Sequence, residues 1–114
     1  MIDTGRKDSQ AAHIIDIMPT LAALAGAEYP KTFKGYEILP MEGKSLVPLF
    51  ADASAKIEHE VLCWEHEGNR AVRKGEWKLV SRFDYEKRTE LPWELYNLKN
   101  DRSETENRIQ DNPE

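Results

Sequence analysis

Apolar residues recur along the chain with two different spacings, and each spacing predicts a different kind of element. In the first half, Ile17, Leu21 and Leu24 recur at helical spacing, which predicts a short amphipathic helix of about ten residues. Asp16 suits the N-cap, because its carboxylate can accept hydrogen bonds from the amides of the first turn, and Gly26 lies where the helix should end.

The stretch that follows, residues 27–48, is interrupted by prolines and glycines at positions 30, 35, 40, 43 and 48. These residues break helices and strands, so the stretch is predicted to be a long surface loop. Four apolar residues near its end should anchor it on a core: Leu46, Val47, Leu49 and Phe50.

The second half alternates with a period of two residues, which is typical of strands with two different faces. A turn is predicted at residues 67–69, a two-residue hairpin connection at Lys74 and Gly75, and a charged irregular segment at residues 84–92. The pattern thus predicts an antiparallel sheet of four strands, at residues 60–66, 70–73, 76–83 and 93–98.

A capping-box spacing, Ser103 followed by Glu106, predicts a short terminal helix through residues 107–109. The fold class is therefore α+β: a small four-stranded antiparallel sheet with a C-terminal helix, preceded by a short helix and a long loop. We expect the helix and loop at residues 1–58 and the sheet with its helix at residues 59–114, within a single small domain.

Composition and charge narrow the possible partners. The 16 Lys and Arg against 21 Asp and Glu give a net charge of −5, which disfavours nucleic acids and anionic membranes, because both attract a positive field. No apolar run reaches the roughly 18 to 20 residues that cross a bilayer. Cys63 is the only cysteine, and His59 and His66 would point to opposite faces of one strand, so no metal site is expected.

Several segments, taken in order, resemble the C-terminal end of arylsulfatase-like enzymes of the alkaline-phosphatase superfamily. Together they cover most of the chain from His13 to Asn107, which makes the resemblance specific. The segments are HIIDIMPTL at residues 13–21, GKSLVPL at 43–49, WEHEGNRAVR at 64–73, WKLV at 77–80, ELYNL at 94–98 and DRSE at 101–104.

The resemblance implies an α/β parent enzyme whose large N-terminal domain precedes a smaller part built on a four-stranded antiparallel sheet and a helix. It also implies a formylglycine nucleophile, made from the Cys or Ser of a Cys/Ser-x-Pro/Ala-x-Arg motif, beside a calcium held by Asp and Asn side chains. The sequence after Cys63 does not fit this motif at its third or fifth position, and no Ser fits. This chain is therefore expected to hold no catalytic residue, metal ligand or cofactor of its own.

Candidate substrate-binding residues lie between residues 65 and 73, on a strand end, a turn and the next strand. Guanidinium groups and a protonatable imidazole suit the sulfate and carboxylate groups of a sugar. By resemblance, this part of a sulfatase lies against the active-site cleft and influences which leaving group is accepted. The candidates are His66, Asn69, Arg70 and Arg73.

Each candidate also has a structural interpretation. The two arginines could pair with Glu65 or Glu76 across strands, His66 could pack beside Trp64, and Asn69 could be a turn residue. The three tryptophans, Trp64, Trp77 and Trp93, could form a carbohydrate platform, but a core role is favoured because each lies in a period-two pattern.

The leading hypothesis is a part of a sulfatase that hydrolyses aryl or carbohydrate sulfates, with the N-terminal catalytic domain and a sulfated small molecule or glycan as partners. The alternatives are a non-catalytic binding module and a part of a related phosphodiesterase or phosphonate hydrolase. A periplasmic or secreted location follows from the family. Alone, the chain should self-associate, because docking surfaces would be exposed.

Overall fold

A computed structural model describes residue 5 and residues 7–112, and its chain forms two compact units. The first unit ends at Glu58 and the second begins at His59. In order along the chain, the first unit contains a 3-10 turn at Ile14–Asp16, helix α1 at Ile17–Ala25, strand β1 at Thr32–Phe33, strand β2 at Tyr36–Glu37 and helix α2 at Val47–Ala51.

Helix α1 confirms the predicted helix but not the predicted role of Asp16. Gly26 ends the helix in the left-handed conformation, with φ of 63°. At the other end Asp16 makes no side-chain cap for α1. Its carboxylate instead accepts from the amide of His13, at 2.8 Å, which closes a capping box around the preceding 3-10 turn. The first helical turn therefore starts three residues earlier than the sequence pattern indicates.

Asp16 also fastens the loop to α1, because its fully buried carboxylate accepts from the amide of Lys44 at 2.8 Å. One turn later, the Thr20 hydroxyl donates to the carbonyl of Asp16 at 2.6 Å and accepts from the amide of Leu46 at 2.9 Å. Gly43 lies so close that a Cβ there would be 2.0 Å from the carbonyl oxygen of Ile15. We call this set, Ile15, Asp16, Thr20, Gly43, Lys44 and Leu46, the loop clamp.

The predicted long loop contains more structure than expected. Strands β1 and β2 form a hairpin in which Phe33 faces Tyr36, joined by Lys34 and Gly35, both with positive φ. The apolar run at its end forms α2, where Leu49 is buried as predicted, while Phe50 remains 39% exposed.

The second unit confirms the predicted four-stranded antiparallel sheet and the α+β class. Its elements are β3 at Leu62–His66, β4 at Asn69–Lys74, β5 at Trp77–Ser81, β6 at Phe83–Asp84, β7 at Thr89–Glu90, β8 at Glu94–Asn97 and a 3-10 turn at Ile109–Asp111. The strand order of the sheet is β3-β4-β5-β8, with every neighbouring pair antiparallel.

Two details of the predicted sheet are wrong. The connection from β4 to β5 is Gly75 and Glu76 rather than Lys74 and Gly75, because Lys74 pairs with Trp77. The charged segment is not irregular throughout, since β6 and β7 pair within it as a small hairpin.

The predicted terminal helix is reduced to the 3-10 turn at Ile109–Asp111, and the capping box at Ser103 does not form. Asp101 binds the relevant amides instead, accepting from Thr105 at 2.7 Å and from Glu106 at 2.8 Å. These hydrogen bonds, the one from Glu106 foremost, hold the pKa of Asp101 below its usual value. Glu104 has a φ of 56°, a left-handed conformation that interrupts a right-handed helix at this point.

The tryptophans do not form the expected core. Trp64, Trp77 and Trp93 keep 38%, 39% and 37% of their surfaces exposed. Trp77 and Trp93 line a groove of about 460 Å³ together with Leu79, Leu95 and other residues. Among the described residues, no helix has the length and apolar character needed to span a membrane.

Candidate functional site

The turn between β3 and β4 is where candidate side chains come together. His66 ends β3 and faces Asn69, which begins β4. Between them, Glu67 and Gly68 have φ of 51° and 81°. A two-residue hairpin turn of type I′ requires positive φ at both central residues, so the backbone here follows the twist of the sheet. This turn presents His66 at the end of the sheet.

Gly68 is also demanded by packing. A Cβ at this position would lie 2.8 Å from Cγ of Phe83, the first residue of β6. The Phe83 ring thus occupies the space beside the turn. In addition, the amide of Gly68 donates to Oε1 of Glu65 at 2.9 Å. Packing against Phe83 and the hydrogen bond to Glu65 thus both fix the turn.

Asn69 joins the turn to the β6–β7 hairpin with all the polar atoms of its side chain. Its Nδ2 donates to the carbonyl of His66 at 3.1 Å and to the Tyr85 hydroxyl at 3.3 Å. Its Oδ1 accepts from the amide of Phe83 at 3.0 Å. These contacts support the turn interpretation of Asn69, and they place it where it positions its neighbours.

Tyr85 closes the arrangement from the β6–β7 connection. Its hydroxyl donates to the carbonyl of Glu67, and its ring meets Phe83 edge to face, with centroids 5.3 Å apart. Partial desolvation of the phenol and the nearby Glu67 carboxylate raise the pKa of Tyr85 above its usual value. We call His66, Glu67, Asn69, Phe83 and Tyr85 the tip cluster.

His66 is a strongly exposed member of this cluster. Its side chain is 86% exposed, and Nε2 lies 3.8 Å from Oε2 of Glu67. The packing role considered for His66 is therefore wrong in this chain. The imidazole stands in solvent on a backbone that the surrounding hydrogen bonds fix.

The two arginines do not join His66. Residues directly opposite each other in an antiparallel ladder share a face, so the pairing of Glu65 with Arg70 puts Arg70 on the face opposite to His66. Arg73 shares the face of His66 but pairs with Leu62 at the far end of β3. The structure thus brings together His66 and Asn69 and separates both arginines from them.

The expected ion pairs of the arginines are also different. Nη1 of Arg70 lies 2.7 Å from Oε1 of Glu90, which belongs to β7, and Nε of Arg73 donates to the carbonyl of Gly75 at 3.0 Å. Glu76 pairs with Lys99 at 3.2 Å. Both arginines therefore hold local structure together.

Cys63 does not fit a formylglycine precursor, because Trp64, Glu65 and His66 follow it, and its thiol is exposed in β3. Within the described part of the chain, no group of three or more His, Cys, Asp or Glu side chains is arranged to hold a metal ion.

The chain matches the model of a known protein family. The family model described as "N-sulphoglucosamine sulphohydrolase, C-terminal" matches residues 1–114. The chain belongs to this family. It is the C-terminal portion of a sulfatase, as the resemblance of its segments predicted.

Two relatives agree with this assignment. A sulfatase of Formosa agariphila is 32% identical over 119 residues, which cover 92% of this chain and 20% of the relative. An uncharacterized sulfatase of Schizosaccharomyces pombe is 32% identical over 103 residues, covering 89% of this chain and 18% of the relative. The chain thus spans about a fifth of the length of these relatives.

Solved structures agree with the fold. A Bacteroides thetaiotaomicron structure, titled for the metabolism of multiple glycosaminoglycans, matches with a TM-score of 0.58 and 25% identity, covering 86% of this chain and 21% of that one. The crystal structure of Ps i-CgsB matches with a TM-score of 0.60 and 26% identity, covering 92% of this chain and 22% of that one.

Glu67, Phe83 and Tyr85 are the members of the tip cluster that sequence reasoning missed, and Tyr85 was missed because it lies in the charged segment between the predicted strands. A local signal was present. Asp84 begins a turn in which its Oδ1 accepts from the amides of Glu86 and Lys87, both at 3.0 Å. An aspartate that starts a turn between two short extended segments indicates a hairpin.

Proposed function

We propose that this chain is the part of a sulfatase that shapes the leaving-group side of the active-site cleft, and that the intact enzyme hydrolyses sulfate esters of carbohydrates or aryl compounds. The tip cluster is the observation that carries this proposal, because it presents an exposed imidazole on a fixed turn. Two relatives named sulfatase and the description of the matching family support the chemistry over the phosphodiesterase alternative.

His66 is suited to an anionic substrate group. A protonated imidazole can donate a charge-assisted hydrogen bond to a sulfate oxygen, and such bonds are shorter and stronger than neutral ones. Because Asn69 fixes the backbone on which His66 stands, no backbone entropy at this position is lost when the imidazole binds. Asn69 is thus proposed as a positioning residue, and the arginines as structural residues.

The catalytic partner is proposed to be the N-terminal domain of the parent enzyme, which would supply the formylglycine and the calcium. The location is proposed to be periplasmic or secreted, as the family suggests. The non-catalytic module remains the second candidate. It is favoured by one observation, the exposed apolar residues of the first unit.

Five of these apolar residues form a stripe with helical spacing along the 3-10 turn and α1, and each of the five is more than half exposed. We propose that this stripe packs against the rest of the parent, and that it drives self-association when the chain is alone. The α1 stripe consists of Ile14, Ile17, Met18, Leu21 and Leu24.

The isolated chain is expected to hydrolyse no aryl sulfate, with or without added calcium, because the residues after Cys63 do not fit the formylglycine motif and the described residues include no group arranged to hold a metal ion. The measurement is release of the phenol from 4-nitrophenyl sulfate, compared with a blank without protein. Hydrolysis that disappears on Cys63→Ala would contradict the assignment of catalysis to the rest of the parent.

In the full-length enzyme, His66→Ala is expected to raise KM for a sulfated sugar about tenfold or more and to leave kcat within about twofold. A hydrogen bond to a charged group contributes about 1.5 to 3 kcal/mol, and tenfold in affinity corresponds to about 1.4 kcal/mol. His66→Gln retains a donor on a side chain of similar reach, and it should recover part of the loss. An unchanged KM in His66→Ala would remove His66 from the cleft.

A further inference from the structure

The ring of Tyr85 is the exposed aromatic surface of the tip cluster. Tyr85 is 55% exposed, yet its hydroxyl is occupied, since it donates to the carbonyl of Glu67 and accepts from Nδ2 of Asn69. A tyrosine whose polar end is bonded to the protein offers its ring, not its hydroxyl, to a ligand.

The ring is also held at its other side. The edge-to-face contact with Phe83, with an interplanar angle of 74°, restricts rotation of the Tyr85 ring. Phe83 itself packs against Gly68, so the ring is connected to the turn that carries His66. An aromatic side chain fixed in this way loses little entropy when it stacks on a ligand.

Three groups that can bind different parts of a ligand lie next to one another in the tip cluster: the imidazole of His66, the carboxylate of Glu67 and the ring of Tyr85. Oε2 of Glu67 is 3.8 Å from Nε2 of His66 and 3.4 Å from the Tyr85 hydroxyl, so the carboxylate lies between the imidazole and the phenol. An imidazole suits a sulfate group, a carboxylate accepts from a hydroxyl group, and the face of an aromatic ring attracts polarised C–H groups. A sulfated pyranose carries all three groups.

We infer that Tyr85 is the stacking surface for the ring of the leaving group, a pyranose or an aryl ring, next to the subsite of His66. The inference rests on the proposed function, and it adds a specificity-determining residue from a second hairpin. It is distinct from the role of His66, because stacking recognises the ring and not the sulfate.

The test uses the full-length enzyme with two substrates that share the sulfate and differ in the leaving group: a ring substrate, such as 4-nitrophenyl sulfate or a sulfated monosaccharide, and a ringless alkyl sulfate. Tyr85→Leu is expected to raise KM for the ring substrate on the order of tenfold, the loss typical of removing one aromatic stacking partner. KM for the ringless sulfate should change less than twofold, and kcat should stay nearly constant for both.

Two further variants separate the ring from the hydroxyl and from exposure. Tyr85→Phe keeps the stacking face and should stay within about threefold of the wild type for the ring substrate. Tyr36→Ala removes a tyrosine that is 77% exposed in the first unit and should leave both substrates unaffected. Near-ultraviolet circular dichroism of each variant establishes that the protein is folded.

The outcomes distinguish this inference from the proposed function. Equal losses for the ring and ringless substrates in Tyr85→Leu would mean that Tyr85 only maintains the turn, and would overturn the inference. Unchanged KM for both substrates in Tyr85→Leu, together with a raised KM in His66→Ala, would overturn it while leaving the proposed cleft intact. A parent enzyme that hydrolyses no sulfate ester would instead overturn the proposed function.

Discussion

Asp16→Ala is expected to lower the free energy of unfolding of the first unit by roughly 3 kcal/mol, because it leaves two partly buried amides without their acceptor. The fully buried carboxylate accepts from His13 and Lys44, each at 2.8 Å. The methyl side chain of alanine cannot accept a hydrogen bond from either amide. All three tryptophans lie in the second unit, so the change is best measured by hydrogen exchange at the amides of Lys44 and Leu46.

Glu42→Ala is the matched control, because it removes an exposed carboxylate from the same loop. Its exchange rates should match the wild type, since surface substitutions usually change stability by less than about 0.5 kcal/mol. If the amide of Lys44 stayed equally protected in Asp16→Ala, then Asp16 would not hold the loop and the clamp would depend on Thr20 alone.

Structure was predictable from the sequence where interacting residues are close together along the chain, and not where they are far apart. The helix and its end at Gly26 were predictable because the signals are local, within a few residues of the structure they specify. The role of Asp16 was not, because its partner Lys44 is 28 residues away and pairs with it only after the loop folds back. A short polar residue before a helix was therefore assigned to the nearest free amides, which was the wrong set.

The same distinction between local and distant signals explains which elements of the second unit were predictable. Strands β3, β4, β5 and β8 follow from period-two alternation, which persists whichever neighbours the strands choose. The terminal helix failed because its capping box competes with Asp101, whose carboxylate accepts from Thr105 and Glu106 at 2.7 and 2.8 Å. The capping-box spacing of Ser103 and Glu106 and the carboxylate of Asp101 offer alternative hydrogen bonds to the same stretch of backbone, and those of Asp101 form in the folded chain.

The candidate site was predicted in part. His66 and Asn69 lie together because one tight turn joins them, and a turn is visible in the sequence. The separation of Arg70 from His66 also follows from alternation. Across the turn His66 pairs with Asn69, so Asn69 shares the face of His66, and Arg70, the next residue of β4, points to the other face. Tyr85 is different, because it reaches the turn from another hairpin through tertiary contacts.

This division has a functional consequence. The residues that were predictable, His66 and Asn69, form the turn itself, whereas Phe83 and Tyr85 make that turn rigid. A sequence that kept the turn but lost the β6–β7 hairpin would retain the imidazole and lose its fixed position. Under the proposed function, substrate preference in relatives is expected to vary with the β6–β7 hairpin as well as with the turn.

Gly43→Ala is expected to destabilise the first unit by about 3 kcal/mol or more, at or beyond the upper end of overpacking costs. A Cβ at this position would lie 2.0 Å from the carbonyl oxygen and 2.4 Å from the carbonyl carbon of Ile15. Both are backbone atoms of the 3-10 turn that Asp16 closes, so they cannot move aside as the end of a side chain could. The loop must instead lift away from α1, and its hydrogen bonds to Asp16 and Thr20 lengthen together.

Gly35→Ala separates this steric clash from the general cost of replacing glycine. Gly35 has a φ of 84° and nothing within 4 Å of a built Cβ, so only backbone strain of about 1 to 2 kcal/mol is expected. In Gly43→Ala the amides of Lys44 and Leu46 should lose protection together, whereas in Gly35→Ala they should lose little. Equal loss in the two variants would show that close approach at Gly43 does not determine how the loop is fastened to α1.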